Sequence, residues 1–303
     1  MAELEPGLSP YLPDGFADFW QSTVGEALSA PLDFTLRAQR EQSSSTHDIE
    51  VLEFRGIDGT PRFGWVALPF HSEPHAPGFV WLPPYSRWSM LPSEYGTREG
   101  FASASLNFFG ESSFHQETYT PSRGYFGEGA LSPETWIFRR MFQDAVLLRR
   151  ILAELPGVDA ERLASCGMSQ GGGMSIWLGA WDPGIKCVVA DEPFLGGMPW
   201  SLSGRNYRYP IKELMDLAAS SPENDEAVRR TVSFYDTMNQ ATACRVPTRV
   251  VLGLKDPAVK PPQVYAVHQA LAGEKELEEL DWGHDWHPRM IEGGNEWMRK
   301  HLA

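Results

Sequence analysis

The chain has few cysteines, no excess of positive charge and no long apolar run, and each lack removes a class of function. Of 303 residues only three are cysteine: Cys166, Cys187 and Cys244. An odd, sparse set is not a disulfide framework. Cys166 and Cys187 lie in apolar runs and read as buried strand thiols. Basic residues number 26 against 40 acidic ones, a net charge of −14. Such a surface repels nucleic acid and anionic membranes and suits a soluble enzyme acting on neutral or cationic substrates. No stretch of about 18 uninterrupted apolar residues occurs, so no segment reads as a membrane span. The first residues, Met1-Ala-Glu-Leu-Glu-Pro6, have neither a basic n-region nor an apolar h-region, and the expectation is a cytoplasmic protein. Gly171-Gly172-Gly173 lacks the Lys-Ser/Thr that completes a P-loop. The nearest approach to a metal set, Asp281, His284, Asp285 and His287, is crowded onto one turn and has another explanation below. No cofactor or metal is expected.

What is present suffices for a large core: 42% of the residues are hydrophobic. Phe16, Phe19, Trp20, Val24 and Leu28 recur at helical spacing behind Asp14 as N-cap, which predicts a helix over 14–29. Three β-like segments follow at 32–40, 48–57 and 62–70, the last two joined by Asp58-Gly59, a hairpin signal. Further strands are predicted at 79–82, 102–106, 162–166, 187–190, 248–253 and 276–280. Helices are predicted at 135–155, after Gly172, at 262–271 and at 288–302. Residues 108–133 have no period and form a long loop of the kind that often carries function. Residues 193–245 break the alternation with helix-compatible sequence and read as an insertion, or lid, over one end of the sheet. The rest reads as one domain over 1–303.

Gly167-Met168-Ser169-Gln170-Gly171 fits G-x-S-x-G between a predicted strand and a predicted helix. That context makes it a nucleophile elbow, with the serine hydroxyl at the head of a helix whose N–H groups can face a developing negative charge. Cys166 stands beside the elbow, but strand alternation points it away from Ser169. Alternating strands and helices with an antiparallel start indicate an α/β sheet with helices on both faces. The elbow narrows this to the α/β-hydrolase arrangement, in which the acid and then the histidine follow the serine.

A serine hydroxyl needs a base within hydrogen-bond reach. Of eight histidines, His47, His71, His75 and His115 precede the elbow, His268 falls inside a helix, and His301 is terminal. His284, after a strand and Gly283, is favoured over His287, at the start of the closing helix. The acid should lie after the next-to-last strand, where Asp256 stands before Pro257; Asp191 is the second choice. Asp281 and Asp285 are too near His284 along the chain. The oxyanion needs two donors. One is the backbone N–H of Gln170. In the early loop Pro83-Pro84-Tyr85, prolines carry no N–H, so Tyr85 supplies the other.

These residues resemble the acetyl xylan esterase and cephalosporin C deacetylase family of α/β-hydrolases nearly end to end. Pro13-Asp-Gly-Phe-Ala-Asp-Phe-Trp20 is similar to its "DFxxFW", and Gly167-Met-Ser-Gln-Gly-Gly172 to its "GGSQGG". Val189-Ala-Asp191 with Pro193 resembles "VADxP", Gly253-Leu-Lys-Asp256 with Pro261-Pro262 resembles "GLxD…PP", and Gly283-His284-Asp285 resembles "GHE". The resemblance implies Ser169, Asp256 and His284 as the triad, with Tyr85 and Gln170 at the oxyanion hole. It also implies short acyl groups, acetyl above all, on sugars or cephalosporin-like alcohols, and a homo-oligomer, often a hexameric ring. The chain departs from the pattern twice. Asn107-Phe108-Phe109-Gly110-Glu111 stands where the family has "RGQG", and Pro83-Pro84-Tyr85 where it has "HGY".

The expected protein is thus a serine carboxylic-ester hydrolase. Two other readings stay open: a peptidase of prolyl-oligopeptidase type, with Glu111 or Glu128 clamping a substrate amine, and a hydrolase-fold protein that binds without turnover. Of the 11 tryptophans, Trp200 and Trp286 are the candidates for stacking on a sugar face.

Overall fold

A computed structural model of the chain describes residues 7–42, 44–70, 75–93, 95–118, 120 and 124–303. The N-terminal hexapeptide read for a leader, His71, and positions 119 and 121–123 of the long loop lie outside the described residues.

The chain begins with α1 (Phe16–Ser29), which buries Phe16, Trp20, Val24 and Ala27, a stripe at helical spacing. Three strands follow, β1 (Phe34–Ala38), β2 (His47–Arg55) and β3 (Pro61–Pro69), paired antiparallel in sequence. Gly59 lies at φ 74° in the β2–β3 turn, where Asp58 also accepts from the Thr60 amide. The hairpin is fastened to the body by a buried ion pair of Arg62 with Asp144 at 2.6 Å.

Next come β4 (Ala76–Leu82), β5 (Ala102–Asn107), α2 (Ile137–Glu154), β6 (Val158–Met168), α3 (Gln170–Trp181) and β7 (Cys187–Asp191). After β7 the expected helical segment holds α4 (Met198–Trp200), α5 (Ile211–Ala218), α6 (Pro222–Tyr235) and α7 (Thr237–Ala241). The chain closes with β8 (Thr248–Gly253), α8 (Pro261–Ala270), β9 (Lys275–Leu280) and α9 (Pro288–His301).

Among the described residues nine strands form one sheet in the order β1-β2-β3-β5-β4-β6-β7-β8-β9. β3 meets β5 antiparallel, and every pairing from β5 to β9 is parallel. The fold class expected from the sequence is the one observed. β5, β7 and β8 are buried along their whole length, as strands covered on both faces must be. On one face Val80, Leu82, Val188, Ala190 and Val250 join a core with α1, α2 and α3. On the other, Phe79, Trp81, Cys166 and Val189 pack with Trp297, Met298 and Leu302 at the end of the chain. Cys166 therefore faces away from the elbow helix, its sulfur 3.4 Å from that of Met298, and burial pushes its thiol well above the ordinary range.

Within the segment between β7 and β8 a buried carboxylate joins several turns of chain. Asp236 is fully buried and accepts from the amides of Gly197 and Met198 and from the hydroxyl of Tyr11. Among the described residues, no helix is long and apolar enough to cross a membrane.

Candidate active site

β6, a central strand, delivers Ser169 just past its C-terminal end, and α3 starts at the next residue. Ser169 lies at φ 56°, ψ −116°, a conformation that costs a non-glycine residue roughly 1–3 kcal/mol. The surroundings leave it no alternative. Its amide donates to Asp191 O at 2.9 Å, and its carbonyl accepts from Gly173 and Phe194. A Cβ on Gly171 would overlap the Leu82 carbonyl oxygen, and one on Gly167 would overlap the main chain of Gly171. Only glycine lets β6, α3 and the end of β4 approach so closely.

Ser169, Asp256 and His284 come together from three separate loops. Ser169 Oγ is 3.1 Å from His284 Nε2, and His284 Nδ1 is 2.7 Å from Asp256 Oδ2. Asp256 sits just past β8, fully buried at its side chain, and its Oδ1 accepts from the amides of Ala258 and Val259 at 2.6 and 2.8 Å. Those two donors fix the carboxylate and leave Oδ2 for the imidazole. His284 lies in the loop between β9 and α9, its side chain 23% exposed. The alternatives are placed elsewhere. His287 is the N-cap of α9, its ring accepting from the Arg289 amide. Asp191 is turned toward the buried Arg249 at 4.0 Å, and burial pushes its carboxyl up to about 7.

One residue escaped sequence reasoning. Glu192, the neighbour of Asp191, has a fully buried side chain with Oε2 3.0 Å from His284 Nδ1. Its φ of 45° turns the chain at the end of β7 and swings this side chain under the imidazole. Burial pushes its carboxyl up to about 7, with His284 opposing the rise. Burial alone would lower the imidazole, but its hydrogen bonds and charge contacts with Asp256 and Glu192 carry His284 up to about 9. The Glu-Pro pair after a strand-ending Asp is a turn signal, yet nothing in it reports where the glutamate points.

The early loop also converges here. Pro84 and Tyr85 line one cavity of about 290 Å³ together with Ser169, His284 and Trp286. Gln170 is the first residue of α3, so its N–H has no intrahelical acceptor. Tyr85 is held through its side chain: its hydroxyl donates to Glu213 of α5 at 2.9 Å, and Glu213 also accepts from the amides of Phe126 and Gly127. Burial and the Glu213 charge push the Tyr85 hydroxyl upward. Tyr125 donates to the Gln170 side chain at 3.0 Å and accepts from the Ser86 amide. Asn206, Arg208, Tyr209 and Ile211, from the segment between β7 and β8, complete the cavity wall.

The two tryptophan candidates separate. Trp286 lines the cavity, its ring 4.5 Å from Tyr95 and 5.5 Å from Trp81. Trp200 is 8% exposed, lies against Gly7 and under Arg205, and is not among the residues lining the cavity. Glu111 lies with His115 and Glu117 in the long loop, outside the cavity lining. Two groups among the described residues bring metal-type ligand atoms within 4.8 Å of one another: that loop trio, and Glu192, Asp256 and His284. In the second group the same atoms are engaged in the contacts just described.

The model of the acetyl xylan esterase family matches residues 8–292. Acetyl esterase Axe7A of Xylanibacter ruminicola is 22% identical over 284 residues, which cover 89% of this chain and 63% of that protein. The chain thus spans less than two thirds of that relative's length. The acetyl xylan esterase from Paenibacillus sp. R4 superposes with a TM-score of 0.86 at 25% identity, over 97% of both chains. Acetyl xylan esterase 1 from Thermoanaerobacterium sp. JW/SL YS485 does so at 0.81 and 21% identity, over 97% of this chain and 96% of that one. The fold is that of the α/β-hydrolases.

Proposed function

The chain belongs to the acetyl xylan esterase family, a family of carboxylesterases, and from that premise we propose that it removes acetyl groups from sugar or cephalosporin-like alcohols by a Ser169–His284–Asp256 mechanism. The observation that carries the reading is the unbroken line from Ser169 Oγ through His284 Nε2 and Nδ1 to Asp256 Oδ2, at 3.1 and 2.7 Å.

Ser169 Oγ attacks the acyl carbon while its proton passes to His284 Nε2. Asp256 holds the imidazole in the tautomer that leaves Nε2 free to accept, and it stabilises the imidazolium. The tetrahedral oxyanion rests on the N–H groups of Gln170 and Tyr85. Collapse breaks the bond to the alcohol oxygen, which takes the proton from Nε2, and the acetyl group stays on Ser169 Oγ. Water then attacks the acetyl carbon, giving its proton to His284 Nε2; the bond to Ser169 Oγ breaks, Oγ takes that proton back, and acetate leaves. Trp286, in the cavity wall, is the surface against which a pyranose ring would stack. In this reading the segment 193–245 serves as a lid that sets which alcohols enter. Self-association into a homo-oligomer and a cytoplasmic location belong to the same proposal, the latter supported by three free, buried cysteines.

Acetate release measured across acetylated xylan, cephalosporin C and p-nitrophenyl acetate, beside an aminoacyl-p-nitroanilide, tests it. Turnover of the acetates with no anilide cleavage is expected. Anilide cleavage without acetate release would place the protein with the peptidases, and inertness toward the whole panel would make it a binding protein.

A further inference from the structure

The imidazole of His284 has two carboxylate partners on one nitrogen. Asp256 Oδ2 and Glu192 Oε2 stand 2.7 and 3.0 Å from the same Nδ1, and both side chains are fully buried. They reach it from different elements, Asp256 from the loop after β8 and Glu192 from the turn after β7. Asp256 has a second anchor in the amides of Ala258 and Val259. Glu192 has none: among the described residues neither of its oxygens accepts a hydrogen bond from main chain or side chain. The Nδ1–H is directed at Asp256, and Glu192 Oε2 stands beside it at 3.0 Å. A buried carboxyl without such donors is costly unless something compensates it, and the group it faces is the imidazole that becomes cationic during turnover. The backbone φ of 45° at Glu192, in the left-handed region, is what aims it there. Asp285 also lies near, and Asp191, next in the chain, faces Arg249.

We propose that Glu192 is a second acid of this site, a positioning residue that flanks the imidazolium beside Asp256 and can take over the His284 Nδ1–H, and so hold the productive tautomer, when Asp256 is neutralised. The inference rests on the triad reading of Ser169, His284 and Asp256. No proton needs to reach Glu192: the serine proton goes to Nε2 and returns to the leaving alcohol, while Nδ1 keeps its own.

The two carboxylates make separable contributions. Loss of the acid in such a triad costs about 10⁴-fold because the imidazole adopts the wrong tautomer. With Glu192 in place, D256N loses only about 10²-fold above neutral pH, and its kcat/KM rises with pH as Glu192 ionises and claims Nδ1–H. The double variant D256N/E192Q falls the full ~10⁴-fold and lacks that rise. E192Q alone removes a negative charge beside the imidazole, so the acidic limb of kcat/KM moves to lower pH by about one unit.

The experiment is the pH profile of kcat/KM on p-nitrophenyl acetate for wild type, D256N, E192Q and D256N/E192Q, with S169A and H284A in parallel. D256N leaves Glu192 untouched and carries the test even if E192Q does not fold. A D256N enzyme at least tenfold more active than the double variant, with the extra ionisation, supports the proposal. D256N as inactive as H284A at every pH, or an E192Q profile superimposable on wild type, overturns it while leaving the triad reading intact. Activity retained in S169A or H284A overturns the triad reading itself and this inference with it.

Discussion

The elbow and the cavity wall are built on different principles. At the elbow, positions are set by main chain against main chain: Ser169 is fixed by bonds to Asp191, Gly173 and Phe194, and Gly171 lies against Leu82. Along the wall, positions are set by side chains: Tyr85 depends on Glu213, and Trp286 on Tyr95 and Trp81. The backbone-built part leaves no room for a side chain at Gly167 or Gly171. The side-chain-built part can change residue by residue, and under the proposed function it is the part that would set substrate choice.

The comparison is broken most sharply at its rigid end. S169A should lower kcat/KM by about 10⁴-fold or more without moving the melting temperature, as steady-state kinetics and a thermal melt would report. A residual rate within tenfold of wild type would sink the nucleophile assignment. G171A, by contrast, should fail in stability: a methyl group pressed onto the Leu82 carbonyl has no flexible neighbour to displace, and such overpacking costs roughly 1–3 kcal/mol or more. Chemical denaturation of G171A reads that cost directly.

On the wall the effects shrink. E213Q weakens the acceptor for the Tyr85 hydroxyl and for the amides of Phe126 and Gly127, so the Tyr85 N–H loses its fixed aim. An about tenfold fall in kcat with KM nearly constant is expected, a fraction of the loss when an oxyanion donor is removed outright. W286A should raise KM for acetylated oligosaccharides about threefold to tenfold and leave p-nitrophenyl acetate nearly unaffected, since only the sugar offers a ring to stack. Equal effects on both substrates would make Trp286 a packing residue.

The pH dependence links the two regions. Under the proposed mechanism the free enzyme needs neutral His284, and its carboxylate partners hold that imidazole above the ordinary histidine range, near 9. The acidic limb of kcat/KM should therefore lie above about 6.5, with activity climbing as pH rises through it. A limb at or below 6.5 would show that Asp256 and Glu192 do not both bear charge next to Nδ1.

Legibility in the sequence follows the same division. The elbow could be read because its glycines encode backbone geometry, and the strand-turn-helix context repeats that information in hydrophobic pattern. Asp256 and His284 are suggested by chain order, each standing in the loop after a strand: Asp256 after the buried β8, His284 after the largely solvent-facing edge strand β9. The sequence predicts the strand at 158–168 only from 162; its start at Val158 comes from the pairing of Val158 with Ala76, and Asp159 to Arg162 form the irregular stretch before Leu163 meets Gly78. Glu192 was missed because a single residue's φ decides whether it or Asp191 faces the imidazole, and no composition encodes that. Trp200 and Trp286 looked alike in sequence, both aromatic and both near loops. Only long-range packing puts one into the core and the other into the cavity wall.

The most direct test of the central claim is labelling with a fluorophosphonate followed by mapping of the modified peptide. The account requires one phosphonylated residue, Ser169, with labelling lost when His284 is replaced by alanine. Label on any other side chain, or undiminished labelling of Ser169 without His284, would contradict it.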